Sequence, residues 1–204
     1  MKYCVFCDRL NIEKEIIYET NNFIVIVGVG IITPGHIMII TKNHYRCYGE
    51  LPKEYDEEFL EIKKKVINKV TEKFSNPFLV EMGGWGQSVK HAHIHVIPLE
   101  GKGYKINSIM DELVAPSGFE YEETNLENIR KIYKTRKGYV SIEEKGKLNV
   151  CYVNMPCNPK DIIRIGHRDF FLKKGIGIKS WKTMTEEDKK IDQINKNITK
   201  EKLK

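Results

Sequence analysis

The stretch His91-Ala92-His93-Ile94-His95 sets three imidazoles at alternate positions. In a β-strand successive side chains point to opposite faces, so His91, His93 and His95 share one face while Ala92, Ile94 and Val96 take the other. Burying three imidazoles without polar partners is unfavourable. The same set suits work on a phosphate, because imidazole is both a nucleophile and an acid/base near neutrality. Histidines kept only as core hydrogen-bonders are the plain alternative. The preceding segment, Gly83-Gly84-Trp85-Gly86-Gln87-Ser88-Val89, reads as a loop entering the histidine strand. Its glycines let backbone approach a ligand closely, and Gln87 and Ser88 add polar side chains beside the first histidine. It lacks the G-K-[ST] ending of a P-loop, so any phosphate cradling here belongs to the histidine strand.

Cys4-Val5-Phe6-Cys7 is the second group with chemistry. Two thiolates can bind one metal ion, but two ligands do not close a tetrahedral site. The histidines are the obvious source of the missing pair, and a redox pair or an inert pair are the alternatives. His36 begins one apolar run and His44 follows its end, so the two serve different sites.

These residues need a scaffold. Phe23 to Val27 is an apolar, β-branched run stopped by Gly28-Val29-Gly30. Pro34-Gly35 marks a turn, and Ile37 to Thr41 reads as the next strand. From Leu51 to Phe74, Tyr55, Phe59, Ile62, Val66, Val70 and Phe74 recur at spacings of three and four, the apolar stripe of a helix with a solvated lysine- and glutamate-rich face. Pro77 to Met82 reads as a strand leading into the glycine loop.

The 204 residues can bury a proper core, and 41% hydrophobic with 30% charged residues is an ordinary globular composition. No apolar run approaches the ~20 residues of a membrane span, and the N-terminus lacks the apolar core of a signal peptide. Five cysteines with one close pair argue against a disulfide framework and for a reducing, cytoplasmic setting. The net charge of +6 is uneven, −1 over residues 1–100 and +7 over residues 101–204. Attraction to phosphate-rich partners, nucleic acid included, therefore belongs to the second half.

Cys4-x-x-Cys7, Pro34-Gly35-His36, Lys42-Asn43-His44 and the run Gly86-Gln87-Ser88-Val89-Lys90-His91-Ala92-His93-Ile94-His95-Val96-Ile97-Pro98 resemble the histidine triad (HIT) nucleotide-binding superfamily over residues 1–100. The resemblance implies an α+β fold with an antiparallel sheet of about five strands, a long helix, a nucleotide site at the end of the sheet, and commonly a homodimer. It implies that His93 attacks the α-phosphorus to form a nucleotidyl-histidine that water resolves. His95, Gln87 and Ser88 would hold the phosphate oxygens, and His36 would stand at the edge of the site. In the zinc-bearing branch Cys4, Cys7, His44 and His91 would close a structural Zn²⁺ site, which takes His91 away from the chemistry. Two positions depart from the pattern. A carboxylate that binds the ribose hydroxyls in many members is missing from Val27-Gly28-Val29-Gly30, leaving Asn21 or Asn22 as candidates, and the arginine that often follows the proline is Leu99. The intact triad favours a hydrolase over a transferase.

The reading divides the chain into residues 1–104, the nucleotide-binding domain, 105–184, a C-terminal α/β extension, and 185–204, a charged tail that is a solvated helix or disordered. In the extension, residues 125–137 read as a short helix, Tyr139 to Ile142 and Leu148 to Val153 as a β-hairpin, and residues 159–174 as a helix capped by Asn158. Arg164, His167 and Arg168 would cluster on that last helix, either gripping phosphate or lying solvated. Three functions follow: a nucleotide hydrolase working through His93, a nucleotidyltransferase of the same superfamily, or a non-catalytic nucleotide- or RNA-binding module.

Overall fold

The computed structural model describes residues 4–28, 30–84, 87–99, 119–153, 172, 177 and 182–204. β1 (Ile16–Glu19) was not expected from the sequence, whereas the expected apolar runs become β2 (Phe23–Ile26), β3 (Ile37–Thr41), β4 (Pro77–Glu81) and β5 (His93–Pro98), the last starting at His93 and leaving His91 outside the strand. The helical stripe becomes α2 (Asp56–Lys73), preceded by the single turn α1 (Arg9–Ile12) with Asp8 as its cap. Acidic Asp56, Glu57 and Glu58 open α2 and Lys73 closes it, complementing the helix dipole.

Every ladder is antiparallel, and the strand order is β1-β2-β3-β5-β4-β7-β8-β6. The first five strands are the sheet expected from the resemblance. The extension adds three more: β6 (Phe119–Glu123), β7 (Val140–Glu144) and β8 (Lys147–Val153). The hairpin turn between β7 and β8 places Lys145 and Gly146 at positive φ (49° and 80°). β7 pairs with β4 from Phe78↔Glu144 to Glu81↔Ser141, so the extension continues the sheet along the edge strand β4. The fold is α+β, with eight strands among the described residues, five in the HIT-like part and three in the extension.

One face of the sheet buries Phe23, Val25, Ile37, Ile39, Ile94 and Val96 against Phe59, Ile62, Val66 and Val70 of α2. These are the inward positions of the strands and the stripe of the helix, and they form the main core. Helix α3 (Leu126–Arg136), capped by Asn125, packs with Tyr139 and Val150 in a second cluster around Cys47.

The tail differs from expectation. Helix α4 (Glu186–Leu203) starts with a capping box between Thr185 and Asp188, and it buries Asp192, Lys196, Thr199 and Leu203 against the rest of the chain. The buried stripe is polar, which is why the alternation of charges gave no sign of docking. The expected helix over residues 159–174, with Arg164, His167 and Arg168, lies outside the described residues. No helix among the described residues is long and apolar enough to cross a membrane.

Candidate active site and metal-ligand cluster

Strand β5 lies inside the sheet between β3 and β4, with Ile40↔His93 and Met38↔His95 in register. Cross-strand partners share a face, so His93 and His95 stand beside Ile40, Met38, Ile24 and Ile26 on the face opposite α2. Ile12 of α1 and the half-buried Phe6 and Ile16 pack over those four apolar residues. The result is a histidine pair at the margin of an apolar floor, with His93 6% and His95 7% exposed.

The partners of each ring determine its tautomer. His93 Nδ1 lies 2.6 Å from the carbonyl oxygen of His91. A carbonyl only accepts, so Nδ1 carries the proton and Nε2 keeps its lone pair. Burial also holds the His93 imidazole below the ordinary histidine range, against the opposing effect of that hydrogen bond, so the ring is neutral near pH 7.

A second chain of bonds runs through His36, which is 2% exposed. The backbone N–H of Ile32 donates to His36 Nδ1 at 2.9 Å. The neutral ring therefore carries its proton on Nε2, which lies 3.0 Å from His95 Nδ1 and donates to it. His95 in turn carries its proton on Nε2. One histidine thus keeps a nucleophilic lone pair on Nε2 and its neighbour, 5.1 Å away between ring centroids, a donor.

Two residues before β5, the third imidazole, His91, faces a different set of side chains. Cys4, Cys7, His44 and His91 bring four potential ligand atoms within 4.8 Å of one another. His91 Nε2 donates to the Thr41 carbonyl at 2.7 Å, which leaves Nδ1 unprotonated and facing the thiols. That nitrogen is 3.5 Å from both Cys4 Sγ and Cys7 Sγ, and His44 Nδ1 is 3.2 Å from Cys7 Sγ. A thiolate and an imidazole on one tetrahedral dication, at ordinary zinc bond lengths, stand about 3.5 Å apart. The donor set and its spacing therefore fit such an ion. Without a cation, burial first and the neighbouring Cys4 second push the Cys7 thiol up to about 11, whereas burial holds His91 down at about 4, the neutral ligand form. Phe6, between the two cysteines, sets its ring edge-on against His91 and His93, at 5.7 and 5.5 Å, and so separates the cluster from the histidine pair.

The other expected residues divide. Gln87 donates to the Arg46 carbonyl at 2.8 Å, which ties the loop before β5 to the segment after His44. Ser88 is exposed on that loop. Asn21 is exposed, and Asn22 does not join the histidines: its amide N–H and its carboxamide both donate to Glu58 of α2, at 2.8 and 2.5 Å. Gly28 lies against Met38, where an added Cβ would stand 2.6 Å from the Met38 methyl, so a side chain fits only if Met38 swings aside. Trp85 and Gly86 lie outside the described residues. Sequence reasoning missed Phe6 as a divider, and it missed the Thr41 and His91 carbonyls and the Ile32 amide that set the tautomers. Backbone groups leave no signature in residue type.

Three relatives give these features their context. Residues 9–102 match the HIT domain model. An uncharacterized HIT-like protein of Methanocaldococcus jannaschii is 29% identical over 49% of this chain and 82% of its own length. A bis(5'-adenosyl)-triphosphatase of Dictyostelium discoideum is 25% identical over 61% of this chain and 89% of its own. An adenylylsulfatase of Arabidopsis thaliana is 32% identical over 47% of this chain, with 51% of that protein covered. The matched segment spans the apolar floor, His36, His44 and all of β5, so residues 9–102 form a HIT domain.

Proposed function

We propose that this protein is a nucleotide hydrolase that cleaves at the α-phosphate through a nucleotidyl-histidine on His93. The hydrogen bond from His93 Nδ1–H to the His91 carbonyl carries the reading, because it presents a neutral imidazole with its lone pair on Nε2. Relatives named as a dinucleoside triphosphatase and an adenylylsulfatase support nucleotide hydrolysis as the class of reaction.

In the first step the Nε2 lone pair forms a bond to the α-phosphorus, and the bond from phosphorus to the leaving group breaks. The leaving group departs with that electron pair and acquires a proton. In the second step water attacks the same phosphorus, loses a proton, and the phosphorus–nitrogen electron pair returns to His93 as the nucleoside monophosphate leaves. Negative charge builds on the phosphate oxygens in both steps. The Nε2–H of His95 is a preorganised donor for that charge, held in place through His36. Gln87 and Ser88 belong to the loop that would border the phosphate. The four-residue cluster just before β5 is read as a structural zinc site: Cys4, Cys7, His44 and His91 would hold the ion, which would anchor the N-terminal segment to the sheet.

The test is release of nucleoside monophosphate from a nucleoside phosphoramidate and from a dinucleoside polyphosphate, by the parent protein and by His93→Asn. Release that His93→Asn abolishes supports the reading; equal, negligible rates in both remove hydrolysis. A trapped nucleotidyl-protein that discharges to a phosphate or sugar acceptor far faster than to water makes the protein a transferase instead. Salt-dependent binding of RNA that survives His93→Asn, without turnover, makes it a binding module.

A further inference from the structure

The helix at the C-terminal end, α4, docks on α2, on Glu15 before β1 and on the β2–β3 connection, and it meets the last two through polar side chains. Asp192, Lys196 and Thr199 stand at helical spacing on one face and are 5%, 6% and 0% exposed. Asp192 Oδ1 accepts from the backbone N–H of Ile31 at 2.9 Å, and Thr199 Oγ1 accepts from the backbone N–H of Gly35 at 2.9 Å. Lys196 lies 3.6 Å from Asp192 and 3.5 Å from Glu15, and Lys200 lies 2.8 Å from Glu15. The cluster is balanced, which a set of buried charges requires.

Ile31 and Gly35 bracket Ile32, whose N–H sets the His36 tautomer. A third contact presses the same point: at Gly177 (φ 86°) an added Cβ would stand 3.0 Å from the Ile32 carbonyl oxygen, so backbone from the extension lies directly on this residue. The connection between β2 and β3 is therefore held on both sides of its one catalytically relevant amide by a helix some 160 residues later in the chain.

We propose that Asp192 and Thr199 are positioning residues for the histidine site: by fixing the Ile31 and Gly35 amides they aim the Ile32 N–H at His36 Nδ1, and through His36 they direct the proton of His95 to Nε2. The inference rests on the proposed chemistry only for its kinetic consequence; the tautomers belong to the substrate-free protein. Losing Asp192 or Thr199 frees the loop, lets His36 take up its proton on Nδ1, and leaves His95 Nδ1 without its donor. His95 then divides between its two tautomers, and only one of them presents Nε2–H to a phosphate oxygen.

The test compares Asp192→Ala and Thr199→Val with Asp192→Asn and Thr199→Ser, which keep an acceptor oxygen. Nitrogen-15 NMR of the imidazoles in substrate-free protein reads the tautomers directly. The parent protein shows His36 and His95 as Nε2–H forms. Asp192→Ala and Thr199→Val show mixtures at both rings, and Asp192→Asn and Thr199→Ser return the parent pattern. With a nucleoside phosphoramidate as substrate, kcat falls about tenfold in Asp192→Ala and Thr199→Val while KM changes less than twofold, a part of the effect ordinary for a positioned proton donor. Thr199→Val keeps the shape of threonine, so a folded variant is available even if Asp192→Ala melts early. Unchanged tautomers in folded Thr199→Val overturn the inference, whatever happens to stability. If the parent protein releases no nucleotide, the hydrolase reading fails while the NMR comparison still decides the positioning.

Discussion

His93 Nδ1 lies 2.6 Å from the backbone carbonyl of His91, so the ring proposed to attack phosphorus is oriented by the peptide group of the ring proposed to hold a metal. The expected shared strand face is not kept: β5 begins at His93, and His91 lies two residues before it, facing the cysteines. His91 turns Nδ1 outward to the cysteines and is itself oriented by the Thr41 carbonyl. Each imidazole is thus held by a backbone acceptor, which is the ordinary way a histidine is locked into one tautomer.

For His93 the expected outcome is loss of turnover by a factor of about 10³ or more on substitution by Asn, because the covalent step has no substitute. The pH profile follows from burial. The nucleophile is active when neutral, and its burial places its pKa below the ordinary 6.5. The rate limb governed by His93 therefore falls with decreasing pH about a midpoint below 6.5. Steady-state rates of nucleoside monophosphate release across pH 4.5 to 8.5 check this, and a midpoint at or above 6.5 for that limb contradicts it.

For the cluster of Cys4, Cys7, His44 and His91, elemental analysis should find about one zinc per chain. An ion at a thousandfold excess over its dissociation constant stabilises by about 4 kcal/mol. For a chain of this size that corresponds to roughly 10 °C in Tm. Chelation and Cys7→Ser are each expected to lower Tm by about that amount and to leave no bound metal. Metal-free protein that melts at the same temperature before and after chelator treatment would contradict the assignment.

The histidine strand, the cysteine pair and helix α2 were legible because their periods of two, three and 3.6 are carried by side-chain type. Residues 126–136 and the β7–β8 hairpin were legible for the same reason, and the structure makes Asn125 the cap of that helix. The docking of α4 was not, since its buried face is Asp192, Lys196 and Thr199, and a charged residue reads as solvated until its partner is known. The placement of β7 beside β4 was not legible either, because edge pairing is a matter of backbone and register. Within the site, residue types identified His91, His93 and His95 and the resemblance gave each an expected role, but the tautomers that such roles need are set by carbonyls and amides.

Glu81 predicts a pH dependence of stability. It is buried at the end of β4, accepting from Tyr48 N–H at 2.7 Å and from Tyr139 O–H at 2.5 Å, and burial pushes its pKa up to about 7 despite those two bonds. The unfolded chain ionises this carboxyl near 4.5, so between pH 4.5 and 7 the unfolded state binds fewer protons than the folded state. Stability contributed by this group therefore falls as pH rises through that window and levels off above it, by at most on the order of 3 kcal/mol. Urea unfolding at pH 5 and pH 8 checks it: Glu81→Gln should remove this component, and an unchanged difference between parent and variant across the two pH values would refute it.

Arg130 tests whether the extension and the HIT domain fold as one unit. From α3 its Nε donates to the Leu51 carbonyl at 2.8 Å, and its two terminal nitrogens grip both carboxylate oxygens of Asp56, in the first turn of α2. The pair is largely covered, with side chains 15% and 26% exposed. A bidentate, partly buried guanidinium with a further carbonyl bond is worth more than an exposed ion pair. Arg130→Ala is expected to cost about 2 kcal/mol, and Arg130→Lys most of that, since an ammonium cannot reproduce the fork. Together with the covered pair Lys63–Glu143 at 2.7 Å, which joins α2 to β7, this contact makes urea unfolding a single transition followed alike by tryptophan fluorescence and circular dichroism. Two separated transitions, or a loss below about 0.5 kcal/mol in Arg130→Ala, would mean that the extension merely adjoins the HIT domain and that its hold on the site is local to α4.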